Sequence, residues 1–395
     1  MFNGSADPVM ANHKTGVKKL VLLGAGHAHV HVLSSLARQR PRDLEVTLVT
    51  PQDHQTYSGM VPGFVAGCYA GHECRIALTP LMRAAGVQWV AGHCTGLRAA
   101  EQMVDVSVRA EAPADAVSLD YDLLSIDTGA VVDRLRLEQV MPGAAEHALM
   151  LRPIDRFVHL WPQVLALARR RPLQVVVVGG GAAGLEVLMA ARQRLLRDGV
   201  AGSRFTLVTG GAEPGSSYPA GVRRRISRQL KAHGIAVVQD TCIGMDAGLV
   251  RLAGGGVLPC DVPILAIGTH APAWLLNSGL NLSPQGHILV NAFQQSTSHD
   301  NVFAAGDVAT RADRPHPKSG VYAVRAGPAL ATNLMAWHAG APLKPHHPPS
   351  RTLNLLSCGS GHAIASWGPF HAEGAWAWRW KDRIDRAFMR RYCLN

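Results

Sequence analysis

Gln174 to Glu186 reads QVVVVGGGAAGLE: a run of valines, three glycines in a row, and then residues that favour helix. Branched Cβ atoms suit a pleated, fully buried strand, and glycine directly after it permits the tight turn into a helix. Gly179, Gly181 and Gly184 are spaced Gly-x-Gly-x-x-Gly. In that pattern the first glycine makes the turn, the second admits a phosphate to the helix N-terminus, and the third lets helix and strand pack closely. The helix is expected to run to about Arg197, with a further apolar strand at Phe205 to Thr209. The same order occurs earlier in the chain. Lys19 to His29 reads KLVLLGAGHAH, followed by a helical stretch to about Arg40 and an apolar run from Val46 to Thr50. Two such units predict an α/β fold with two Rossmann-like domains, and two nucleotide-type ligands.

Composition narrows the class. A chain of 395 residues is long enough for two or three domains. Its 40 glycines have no collagen-like period and only 17% of residues are charged, which excludes collagen and disorder. The formal charge of +11 calls for an anionic partner: a nucleotide, an anionic membrane or a nucleic acid. No aromatic-basic platform lies outside the last helix, so nucleic acid is not expected. No uninterrupted apolar run is long enough to span a bilayer. Residues 1–17, MFNGSADPVMANHKTGV, lack the apolar centre of a signal peptide and read as a polar tail, which favours the cytoplasm. Seven cysteines with no C-x-x-C pair fit reduced thiols.

Ser296 to Asp307 reads STSHDNVFAAGD, an apolar strand closing on Gly306-Asp307. Together with the two glycine loops, and with Asp127-Thr128-Gly129 and Ala266-Ile267-Gly268 at two strand ends, it resembles the fingerprint of flavoproteins with two dinucleotide-binding domains. The likeness runs over about residues 18–340. Within that superfamily the chain resembles the branch of type II NADH dehydrogenases and sulfide:quinone oxidoreductases. It is closer still to the flavoprotein module that some bacteria fuse ahead of selenophosphate synthetase. The stretches LVLLGAGHAHVHVL, HQTYSGMVPGFVAGCY, SGVYAVRAGPALATNL and GAWAWRWKDRIDRAFMRR carry it. No synthetase domain is read after Asn395.

The resemblance implies an FAD-binding domain at 18–145 and 270–340, with an NAD(P)-binding domain at 146–269 inserted in it. A linker and an amphipathic helix follow at 341–395. It implies FAD held by Gly24, Gly26, His29, Thr50, Thr128, Gly129, Gly306 and Asp307, the last bonding the ribityl hydroxyls. NAD(P)H is expected on Gly179, Gly181, Gly184 and Gly268. His29 stands where the third glycine usually does, as that branch's pattern allows. The implied activity is electron transfer from NAD(P)H through FAD to a quinone or similar acceptor. A selenium or sulfur compound is the second acceptor class, and a flavin-binding sensor without turnover is the third reading.

Two residues are expected to take part in the chemistry. Glu186 is implied to lie where nicotinamide meets flavin, positioning the donor or relaying a proton, or else to pair with an arginine such as Arg192. Lys318, ahead of a helix at about Val321 to His338, either adds charge near the flavin pyrimidine or is a solvated loop lysine. The usual acid for an adenosine ribose is absent at both Thr50 and Thr209, and Arg223, Arg224 and Arg225 leave NADPH open beside NADH. Cys68 and Cys74 are separated by five intervening residues, unlike the four of the redox disulfide in glutathione-reductase-like relatives. His27, His29 and His31 do not share one helix face, so no metal is expected. In the closing helix Trp376, Trp380, Ile384, Ala387 and Phe388 form an apolar stripe, flanked by Arg379, Arg383, Arg386 and Arg390. Residues 375–391 are therefore a peripheral membrane contact or a surface packed on the protein itself or on a second copy in a homodimer.

Overall fold

The computed structural model describes residues 16–108, 116–359 and 361–393; apart from Gly16 and Val17, the polar tail read at 1–17 lies outside the described residues. Two five-stranded parallel sheets organise the chain. The first runs in the order Val302–Ala304, Leu123–Ile126, Lys18–Leu23, Leu44–Val49, Gln88–Val90. Its central strand shows why two-sided burial needs an unbroken apolar run. Leu20 and Leu22 pack with Leu33, Leu78 and Leu330 of the covering helices, whereas Val21 and Leu23 face Leu97 and Val104 of an antiparallel sheet below.

The second sheet runs Leu149–Met150, Val262–Leu265, Gln174–Val178, Arg204–Val208, Ala236–Val238. The helices Ile154–Ala168, Ala182–Arg197 and Ala220–Ala232 cover one face, and a three-stranded antiparallel sheet, Cys242–Asp246, Leu249–Leu252 and Val257–Pro259, covers the other. Every strand of this second sheet lies between Leu123–Ile126 and Val302–Ala304, which pair directly in the first. One Rossmann-like unit is thus nested within the other.

Ala116–Asp120 joins the antiparallel sheet, and the chain turns through Tyr121 and Asp122 before Leu123–Ile126 enters the parallel one. Beyond the proline-rich stretch, the chain forms a three-stranded antiparallel sheet, Leu353–Ser357, Ala363–Trp367 and Phe370–Gly374, and then the helix Ala375–Tyr392.

The expected apolar stripe of that helix is split between two surroundings. Phe388 is buried and stacks on Tyr57 at 4.4 Å, and Tyr392 meets His31 edge-on. Trp376, Trp380 and Ile384 remain 45%, 43% and 40% exposed. Of the flanking arginines, Arg386 is held by Asp382 and Glu73, while Arg379, Arg383 and Arg390 stay exposed.

Candidate functional site

The first glycine loop is built around one aspartate. Gly24 has φ +81°, and a Cβ there would lie 2.6 Å from the Asp127 carbonyl; a Cβ on Gly26 would lie 2.4 Å from the Asp127 carboxyl. No larger residue fits at either place. Asp127 Oδ2 accepts the amides of Ala28 and His29 at 2.8 and 3.0 Å, capping the helix His27–Gln39. Burial beside Asp307 lifts its carboxyl to about 7, against the pull of those two amides.

A cleft of about 590 Å³ opens over this loop. That volume is within the range of about 300–1,000 Å³ usual for small-ligand sites. Gly24, Gly26, Thr50, Thr128, Gly129, Gly306 and Asp307 all line it, as do Gly320 and Ala323 at the start of the helix Gly320–His338. That helix therefore points its positive end into the cleft. The opposite wall comes from the other domain: Arg152, two residues beyond the strand Leu149–Met150, reaches across to Asp307 at 3.1 Å.

His29 is placed differently from the expectation. Its ring is wholly buried, with Nδ1–H donating to the Gly24 carbonyl at 2.6 Å and Nε2 accepting from the Ser125 hydroxyl at 2.8 Å. Burial drops it to about 4, so the ring is neutral and pins the loop to the neighbouring strand from behind. Lys318 also turns aside. Its Nζ donates to the Ala309 carbonyl and the Thr310 hydroxyl, and burial, opposed by Asp307, lowers it to about 8.

In the second loop a Cβ on Gly179 would strike the Ala266 carbonyl at 2.2 Å, and one on Gly184 the Gly179 carbonyl at 2.1 Å, while Gly181 and Gly268 face open space. The backbone at the N-terminus of the helix Ala182–Arg197 is therefore free for a ligand's close approach. Thr209 Oγ1 donates to the Ala212 carbonyl. Arg223 is paired with Glu213 and Arg225 with Glu373, leaving Arg224 exposed.

Glu186 does not pair with Arg192, which bonds the His233 carbonyl instead. Its Oε1 accepts the Ser357 amide at 2.8 Å, from the C-terminal sheet. Burial raises it to about 7, opposed by the Lys381 ammonium. Lys381 in turn donates to the Gly59 carbonyl at 2.6 Å and to Asp385 at 2.7 Å, and Asp385 accepts from Tyr57 at 3.2 Å. Tyr57 packs on His27 of the cleft wall, ring centroids 5.5 Å apart. Lys381, Asp385 and Tyr57 thus link the last helix to the cleft wall, and the Lys381 charge acts on Glu186 through space.

Other features take no part. Cys68 and Cys74 are free thiols, and burial pushes Cys74 up to about 12. His27, His29 and His31 point to Tyr57, Ser125 and Tyr392 respectively. Reading the sequence missed Asp127, Arg152 and Lys381 as site residues. Only Asp127 carried a signal, a charged residue in a strand end that is otherwise apolar.

The profile of the pyridine nucleotide-disulphide oxidoreductases matches residues 18–332, which takes in both glycine loops and Asp307. The chain belongs to that family. This pyridine nucleotide-disulphide oxidoreductase is therefore an enzyme, an NAD(P)H-dependent flavin oxidoreductase with FAD as cofactor. It is 24% identical to the demethylphylloquinone reductase of Synechocystis over 368 residues, 89% of this chain and 88% of that protein. It is 25% identical to a monodehydroascorbate reductase of Solanum lycopersicum, over 74% of this chain and 68% of the relative. Among solved structures its fold matches the sulfide:quinone oxidoreductase of Aquifex aeolicus (TM-score 0.76, 16% identity, 95% of this chain and 91% of that one). It also matches NDH2 of Plasmodium falciparum in complex with NADH (TM-score 0.76, 14% identity, 95% and 98%).

Proposed function

We propose that this enzyme takes electrons from NAD(P)H and delivers them, through FAD in the 590 Å³ cleft, to a quinone at a membrane surface. One observation carries the reading: the last helix has two working faces. Its inner side brings the Lys381 charge to bear on Glu186 and sets Phe388 against the cleft wall. Its outer side presents Trp376, Trp380 and Ile384 among exposed arginines. Aromatic residues and arginine together suit the interface of an anionic bilayer. Among the described residues no helix is long and apolar enough to cross a membrane, so the contact is peripheral. The likeness to a demethylphylloquinone reductase supports a quinone as acceptor.

FAD, when bound, accepts a hydride from reduced nicotinamide and passes two electrons onward. The chain's own part is positioning and charge. Gly24 and Gly26 leave room for a diphosphate at the N-terminus of the helix His27–Gln39, with Thr50, Thr128 and Gly129 lining the rest of its bed. Asp307, steadied by Arg152, accepts hydrogen bonds from ligand hydroxyls. The Gly179–Gly184 turn, with Gly268 across from it, receives the diphosphate of NAD(P)H. Burial raises the Glu186 carboxyl to about 7, so it can hold or release a proton while anchored by the Ser357 amide.

Anaerobic mixing of the yellow protein with NADH or NADPH tests the first half. The flavin absorbance should bleach with at least one of them, and no bleaching with either would defeat the proposal. Reoxidation by a soluble quinone should then outpace reoxidation by sulfur or selenium compounds; the reverse order would replace the acceptor.

A further inference from the structure

Asp127 lines the floor of the cleft, and the sequence reading used it only as part of the Asp127-Thr128-Gly129 strand end, not as a site residue. Only 2% of the residue is exposed, yet it lines the cleft. Its two oxygens have different surroundings. Oδ2 is occupied by the amides of Ala28 and His29. Oδ1 lies between the two glycines that flank the cleft floor: a Cβ on Gly26 would come within 2.4 Å of it, and one on Gly306 within 2.5 Å. Among the described residues no donor reaches Oδ1. The atom opens onto the cleft, so a ligand or a proton can supply its partner. The two glycines leave the space above it open to the cleft.

We propose that Asp127 is a further FAD-binding residue, one that acts as a neutral acid: Oδ1–H donates a hydrogen bond to a diphosphate oxygen, and cofactor binding takes up one proton from solvent. The inference rests on the assignment of the cleft to FAD. The alternative, a carboxylate facing a diphosphate across the thickness of two glycines, would set like charges together in a dry floor where their repulsion is strong. The charges nearby do not remove that conflict. Asp307 adds a further negative charge from the Gly306 turn, and Arg152 on the facing wall is committed to Asp307. His27 and His29, on the capped helix, are both held at about 4 and are neutral. Lys318 is turned to Ala309 and Thr310. Burial already places the Asp127 proton near neutrality, at about 7 without ligand. A dianion beside it raises that value further, so the bound state holds the proton to higher pH than the free state does. By linkage, affinity is full below about pH 7 and falls as pH rises towards the value in the complex.

The test follows FAD release from the intact holo-protein by free-flavin fluorescence on dilution, between about pH 6 and 9. For the wild type the dissociation constant should rise with pH above 7, by up to about tenfold per unit. Asp127→Asn carries a permanent donor and should bind FAD with little dependence on pH, and more tightly than the wild type at the alkaline end. Lys318, at about 8, could give a slope of the same sign, so Lys318→Met should keep the slope that Asp127→Asn loses. A flat wild-type profile, or an equal slope in Asp127→Asn, overturns the proposal. A measurement that needs no variant is proton uptake when flavin-stripped wild type takes up FAD in weak buffer near pH 8; no uptake also overturns it. If the wild type binds no FAD at all, the reading of the cleft fails instead. Intact FAD binding and bleaching by NAD(P)H, without proton linkage, sinks only the role of Asp127.

Discussion

His29 shows how far a motif position and a side chain's direction can part. Its place in the glycine loop pointed to the cofactor, but its ring bonds Gly24 and Ser125 inside the core. His29→Ala would leave that carbonyl and hydroxyl unpaired in a buried site, and should cost about 2–4 kcal/mol in denaturant unfolding. The unfolded ring binds a proton near 6.5 and the native one only at about 4, so the unfolded state holds more protons in between. This residue's contribution to stability therefore falls as pH drops through that window, and the variant should lose that part of the slope. Glu186 is open to a sharper test. If it handles a proton, Glu186→Gln should slow flavin reduction by about tenfold or more and remove an inflection near pH 7, with FAD content unchanged. If it only anchors Ser357, rate and profile should stay as in the wild type. Spacing revealed where the glycines stand, because each answers to a backbone constraint, and the family resemblance pointed to Asp307. Neither revealed Arg152 or Lys381, whose roles depend on contacts with residues far along the chain.

Among the elements, the two strand-turn-helix units were legible because a buried parallel strand leaves a continuous apolar run and its turn demands glycine. The C-terminal sheet was not. Its strands alternate too weakly, and its stability comes from packing onto distant helices: Glu186 reaches it from one, and Glu373 meets Arg225 and Gln229 of another. The hairpin of that sheet also exposes Trp367 and Phe370, which stack on each other at 6.2 Å. Replacing Trp376 and Trp380 with serine should weaken pelleting with anionic vesicles by about tenfold or more, while leaving FAD content and bleaching by NAD(P)H intact. Added salt should weaken wild-type binding through the arginines. If the double variant instead changes the oligomeric state and vesicles never bind the wild type, the face joins two copies of the chain.

At the scale of the whole molecule, the two glycine loops lie on separate sheets, with Arg152 reaching from one unit to Asp307 of the other. Hydrogen exchange can read them apart. FAD should slow exchange around Gly24, Asp127 and Gly306, and NAD(P)H should slow it around Gly179 to Gly184. Protection of the Gly179 turn by FAD alone would reverse the assignment of the two glycine loops. The nesting of the sheets also has a consequence for the order of assembly during synthesis. Every strand of the second sheet precedes Val302, whereas the first sheet lacks an edge strand, and its cleft lacks Asp307, until that point has been made. The inner unit can fold while the outer one waits on the ribosome with Leu123–Ile126 unpaired on one side. The cofactor can then close its site only after Asp307 has been made, so a shortage of flavin would leave the outer unit, although its first strand precedes the inner one, as the last to settle.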